Sequence, residues 1–344
     1  MHHPRLKKVA LIGIALFILF LVCFPREGNS QPVPKKALLA LSKSDHTLSV
    51  IDPATFKVIS RIPVGSDPHE VIASSDGKTA FVTIYGGGSL HELDVIDLVH
   101  LKSLVTFDTR PLFGPHGLTF VGGKAWFTAE GSKSIGRYDP ETGKLDWAMG
   151  TGQDRTHMIF VTPDEKNIYT TNVSSGTVSI LTDTLLSPFP GSRTHEDWVQ
   201  HIIPTARGSE GFDVSPDGKE LWTASGMDGS ITVIDLVHKD LSARINAQVN
   251  GANRLKFTPD GKMVLISSLQ NGELTCYDAR LRKEVKRLKL GHGAAGILMD
   301  PDGSRAFVAC TPDNEIFIVN LKTLEQTGHF ELGGPDGLAW AIQQ

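Results

Sequence analysis

Six variants of one phrase run through the chain: SSDGKTAFVT (74–83), FVGGKAWFTA (120–129), VTPDEKNIYTTN (161–172), VSPDGKELWTAS (214–225), FTPDGKMVLISS (257–268) and MDPDGSRAFVAC (299–310). Each sets an Asp-Gly type turn between two alternating apolar stretches, which is a β-hairpin signal. Most are followed by a polar loop and a third strand, as in LDVIDL (93–98), ITVIDL (231–236) and IFIVNL (316–321), and then by a more polar fourth. The turns recur mostly every 42 to 46 residues. Four strands in about 40–45 residues is the period of a β-propeller blade. The third repeat is longer because of TDTLLSPFPGSRTHED (182–197), whose Pro, Gly and Ser content predicts a surface loop.

The two ends complete each other. The C-terminal GPDGLAWAIQQ supplies a first strand and nothing more, while ALLALSKSDHTLSVIDPATFKVISRIPVG (37–65) supplies strands two, three and four. The expected fold is therefore all-β: a seven-bladed β-propeller of four-stranded blades, the last closed by N-terminal strands plus the C-terminal strand. Closure removes free sheet edges and ties down both termini. One domain is expected over 37–344, after a linker at 31–36.

Residues 1–30 stand outside that pattern. Arg5, Lys7 and Lys8 precede a continuous apolar run from Val9 to Phe24, and Gly28-Asn29-Ser30 follows. This is the layout of a secretory signal peptide; the alternative is an uncleaved membrane anchor with its positive end inside. Either way the expected location is periplasmic or extracellular, with membrane contact only through this segment. Without it the chain holds 30 basic against 37 acidic residues. That balance disfavours a nucleic-acid or anionic-membrane surface. Cys276 and Cys310 then remain; buried free thiols are favoured over one bridge. No C-x-x-C-H occurs, so no c-type haem is expected. A monomer is expected.

Aligning the repeats on their turns exposes one slot at the start of each first strand. It holds His69, His116, His157, Glu210, Asn253, Ala295 and Asp336. The positions two and four residues later are mainly apolar and read as packing between blades. By strict alternation the slot shares their face. The first strand of a propeller lies beside the central channel, so the slot predicts a ring at the channel mouth. Three imidazoles and a carboxylate make a candidate metal site: His69, His116, His157 and Glu210 as ligands, with a transition metal favoured over Ca or Mg. Glu210 or His157 would act as general base. Asn253, Asp336, Arg155 and Arg254 are candidate ligand-binding residues, the arginines for a carboxylate or phosphate. The competing reading is polar residues at a wet mouth, bonded to neighbouring carbonyls or water. His292, three residues before its slot, could also reach in. YGGGS (85–89) lacks the Gly-Lys-Ser/Thr ending of a phosphate loop and reads as a flexible loop on the mouth face.

The phrases SPDGKELWTAS, TPDEKNIYTTN and GSITVIDLVHK resemble the YVTN-type repeats of the YncE family of seven-bladed propellers. GPHGLTFVGGKAWFTAEGSKSIGRYDPETGK (114–144) more weakly resembles a blade of the streptogramin lyases, and other parts resemble the propeller that binds haem d1 in cytochrome d1 proteins. The lyase histidine and glutamate have no matching positions here, so that likeness implies architecture and no catalytic residue. Two functions stay open. One is an exported propeller binding a metal or small ligand at its mouth, with lyase, lactonase or redox chemistry. The other is a non-enzymatic scaffold for an envelope protein.

Overall fold

In the repeated turn, an Asp carboxylate accepts from the chain it reverses. In the first repeat Asp76 Oδ1 accepts from the Ser74 hydroxyl at 2.7 Å and from the Lys78 amide at 3.1 Å. Asp217 and Asp260 repeat both bonds in their own turns. Gly77, Gly218, Gly261 and Gly303 follow at positive φ, the backbone that L side chains resist. The hairpins so formed assemble, in a computed structural model of the chain, into seven sheets of four antiparallel strands. The structure describes residue 1, residues 34–187, residue 189 and residues 191–344. The predicted signal or anchor segment, with its cleavage site and Cys23, lies outside the described residues. Among those described, no helix is long and apolar enough to cross a membrane.

The seventh sheet joins the ends as expected. Pro335–Ile342 pairs with Lys36–Ser42, and Thr47–Ile51 and Val58–Pro63 complete the blade. The second strands carry the core: Leu39, Val82, Phe127, Trp222, Val264 and Val308 are sealed from solvent between blades. Fourth strands such as Lys102–Asp108 are largely exposed.

Two expectations need correction. The stretch 182–197 is strand at both ends rather than loop throughout. Thr177–Leu186 and His195–Pro204 are ten residues each, and their ladder runs out to Leu186 opposite His195. The β-branched and aromatic residues beside the Pro-Gly segment carry the pairing past the blade. The second correction concerns the slot. Strict alternation puts it on the face of the residues two and four further on. In every blade, however, the ladder is irregular there, for example between Pro68 and Val71, Pro115 and Leu118, and Thr156 and Ile159. A bulge re-aims a side chain by one step of the pleat. The slot residue therefore faces the channel, while Val71, Ile159, Phe212 and Ile297 pack between blades as expected.

Candidate functional site

Each slot residue is the second residue of its inner strand, from His69 in Pro68–Ala73 to Asp336 in Pro335–Ile342. Hydroxyls on the second strands hold the slot backbone in place. Thr83 donates to the carbonyl of His116 at 2.8 Å, Thr128 to that of His157 at 2.5 Å, Thr171 to that of Glu210 at 2.6 Å, and Ser267 to that of Ala295 at 2.6 Å. All four bonds cross from one blade to the next. The close approach of neighbouring inner strands accounts for Gly117, Gly211, Gly296 and Gly337, one residue past the slot. A Cβ at any of them would fall 2.1–2.4 Å from the slot carbonyl of the adjoining blade.

The ring opens on a cavity of about 370 Å3 that brings together every predicted site residue: His69, His116, His157, Glu210, Asn253, Asp336, Arg155 and Arg254. The imidazoles form a tilted stack. Ring centres of His69 and His116 are 4.6 Å apart, and those of His116 and His157 are 3.9 Å apart. Tyr85 stands edge-on to His69 and His116. His116 and His157 are buried. Burial, and then the positive charge of its neighbours, pushes the His116 imidazole well below the usual histidine range, so the ring is neutral at pH 7.

Behind this wall sits Glu130, which the slot pattern does not contain. Its carboxylate accepts from Nδ1 of His157 and from the Tyr85 hydroxyl. Burial alone would raise this carboxyl. The bonds from His157 and Tyr85 and the Arg155 charge outweigh it and hold Glu130 below the usual carboxylate range. Burial, followed by the Glu130 contact, keeps Tyr85 protonated. Because an ionised carboxylate only accepts, Nδ1 of His157 carries a proton toward Glu130, and Nε2 is the nitrogen turned to the cavity. That Nε2, and Nδ1 of His116, are buried with no hydrogen-bond partner. A buried polar atom left unpaired costs about 1–3 kcal/mol, so two of them at one cavity mark a place that takes a ligand.

The other predicted ligands are engaged. His69 meets Lys43 through Nε2 at 2.7 Å, Asp67 at 3.2 Å and Asp336 at 3.5 Å. Glu210 accepts from Asn253 at 2.7 Å and lies 3.7 Å from Arg155. The four-ligand set His69, His116, His157 and Glu210 thus converges in space but offers two free donors. Among the described residues, no three His, Cys, Asp or Glu side chains stand arranged to hold a metal ion. Arg155 does not stand open for an anion, since it lies between Glu130 and Glu210, and Arg254 is paired with Glu70 through Nη2. Lys43 lies between Asp67 and Asp336. Of the charged groups that line the cavity, Glu210 and Asp336 face Lys43, Arg155 and Arg254, with Glu130, Asp67 and Glu70 paired to those cations from behind.

His292 does not reach in; it is exposed and pairs with Asp313 at 2.8 Å. The glycine loop is packed rather than free. Gly88 lies so close to Gly114 and Gly131 of the next blade that a Cβ on Gly114 would stand 2.6 Å from its Cα, and one on Gly131 would stand 2.3 Å from its carbonyl oxygen. That packing sets Tyr85, at the loop's start, over the histidines. Tyr85 and Glu130 went unseen in the repeat alignment because both follow their second strands, where blades differ.

No protein-family model matches the chain, and no curated protein matches it in sequence. Solved structures do match in shape. A protein of Bacteroides fragilis provisionally named a 6-phosphogluconolactonase is 16% identical, with a TM-score of 0.72 over 92% of this chain and 99% of its own. Hydrazine synthase of Kuenenia stuttgartiensis is 17% identical, with a TM-score of 0.65 over 79% of this chain and 89% of its own. The dihydro-heme d1 dehydrogenase NirN, solved in complex with DHE, is 15% identical, with a TM-score of 0.61 over 92% and 78%. At these identities the likeness establishes the seven-bladed propeller and nothing finer.

Proposed function

We propose that the chain is an exported propeller of the YncE type that binds a transition-metal ion at the channel mouth through His116 and His157. The observation that carries this reading is the pair of unpartnered buried nitrogens, His116 Nδ1 and His157 Nε2, at one cavity. Neutral imidazole suits Zn, Cu, Fe or Ni. The Glu130–His157 contact supports it further, because metal-bound histidines commonly donate their other nitrogen to a carboxylate. His69 and Glu210 stand beside these two and would join only on leaving Lys43 and Asn253.

A bound ion would supply Lewis acidity or a more acidic water. The chain's own part is separate from it. Glu130 fixes the His157 tautomer, Tyr85 holds Glu130, and Arg155 orients Glu210. Hydrolytic or lyase chemistry on a small substrate fits a cavity of this size. The provisional lactonase name of a structural neighbour points the same way. The protein would work in the periplasm or outside the cell, its segment 1–30 removed or kept as an anchor.

Metal content by mass spectrometry tests the reading, on protein from residue 31 onward and on a His116→Ala/His157→Ala variant. Near-stoichiometric metal that is lost in the folded variant is expected. No metal in either, after incubation with Zn, Cu and Fe, rejects it. The mouth is then better searched for an envelope partner.

A further inference from the structure

Beneath the mouth the channel holds a second cavity, of about 430 Å3, with a different wall. Its lining comes from positions one to four residues beyond the slot. The third position contributes Ile72, Thr119, Phe160, Leu298 and Ala339, with Asp213 and Lys256 together on one side. Leu118, Leu338 and Trp340 add to the apolar part, and most of these side chains are only half-buried. Large apolar groups held part-exposed around a concavity, with a few convergent polar groups, describe a ligand site.

The roof is the ion pair of Glu70 and Arg254. Both occupy the position after the slot, where four other blades carry glycine. They come from inner strands that are not neighbours in the ring, so they meet across the channel. Arg254 lines both cavities and is 6% exposed. Its guanidinium has five N–H donors. Among the described residues it spends Nη1 on Asn253 and Nη2 on Glu70, and Nε makes no hydrogen bond. A buried guanidinium with unspent donors above an apolar chamber calls for an acceptor attached to an apolar body. The chamber's own charges balance, Glu70 and Asp213 against Arg254 and Lys256, and Lys256 lies only 3.8 Å from Asp213, leaving its ammonium loosely held. The unspent donors of Arg254, rather than net charge, are what select an anionic guest.

We propose that this lower chamber binds a small apolar carboxylic acid, its carboxylate toward Arg254 and Lys256 and its body against Ile72, Phe160, Leu298 and Trp340. The site uses none of the proposed metal donors, so either proposal can fail alone. The test is calorimetric titration of the protein from residue 31 onward with 1-naphthoate and, separately, with the equally shaped 1-naphthylmethylammonium. Trp340 fluorescence is read in parallel. Saturable one-to-one binding of naphthoate is expected, with the ammonium at least about tenfold weaker, a loss of order 1.4 kcal/mol. Filling the chamber by Leu298→Trp, or from another part of the wall by Phe160→Trp, should weaken naphthoate about tenfold or more in whichever variant melts like the parent. Trp340→Phe should lose the fluorescence change. Absence of saturable binding overturns the proposal. So does equal affinity for the ammonium, or binding unchanged in a folded filled variant.

Discussion

Glu130 and His157 stand on adjacent blades, and the carboxylate of one accepts the Nδ1 proton of the other inside a sealed contact. That single relationship decides which nitrogen of His157 faces the cavity. It ties the chemistry at the mouth to a residue outside the repeat.

Removing the Glu130 charge should therefore act on the site before it acts on the fold. In Glu130→Gln the side-chain amide replaces the carboxylate as partner, and the tautomer is no longer fixed. Loss of such a partner commonly costs about 10–100-fold in metal affinity. We expect a drop of that size for Zn or Cu in competition titration against a chelator. An unchanged affinity would place Glu130 outside the site's function.

Protonation of His116 sets a pH limit on stability. Its folded pKa is depressed, so in the range just below about 6.5 the unfolded chain binds a proton that the folded one does not. Stability contributed by neutral His116 is complete above that range and is lost as pH falls through it. The carboxylates held low by their partners, such as Asp67 and Glu130, are lost only at lower pH. Urea midpoints at pH 7.5 and 5.5 should fall more for the parent than for His116→Gln. Equal falls would contradict the assignment.

Gly117 answers to its neighbour rather than to its own backbone. A Cβ there would lie 2.3 Å from the His157 carbonyl oxygen. Gly117→Ala should cost about 1–3 kcal/mol by overpacking and should shift His157, so that metal affinity falls with stability. Gly123 is the control, with positive φ and open space around its Cβ. Gly123→Ala should cost about 1–2 kcal/mol and leave the site's affinity unchanged. Denaturant melts and metal titration of the two variants separate the cases.

The two cysteines should be silent in the native protein. Both are free and buried, and burial pushes each thiol up to about 12. A thiol held that far above neutral offers almost no thiolate. On protein from residue 31 onward, a chromogenic disulfide reagent at pH 8 should find no reactive thiol until denaturant is added, and then two. Reaction in the native state would mean that the blades holding Cys276 and Cys310 open readily.

Much of the architecture was legible because repetition multiplies weak signals. One Asp-Gly turn predicts a hairpin; six at a near-constant spacing predict blades, and the unmatched strands at 37–65 and 334–344 predict their closure. The stretch 182–197 was misread because its Pro and Gly drew attention from the β-branched residues that pair around them. The slot was found because it repeats. Its place at the mouth followed from that, but the bulge that turns it off the face of the packing residues was hidden, since no residue type marks a bulge reliably.

What the sequence determined by itself was the order of strands, the ring, and which side chains would gather at the mouth. Turn chemistry and alternating polarity act over a few residues, so their effects can be read locally. Only the tertiary structure decided which of those side chains keep an unpartnered ring nitrogen. His69 and Glu210 are occupied by Lys43, Asp336, Asn253 and Arg155, whereas His116 and His157 are not. It also decided that Glu130 stands behind His157 and that Glu70 meets Arg254 across the channel. These are contacts between side chains 27 and 184 positions apart in the chain. Hydrogen bonds and charges act over a few ångströms of space, and the closing of the ring sets those distances.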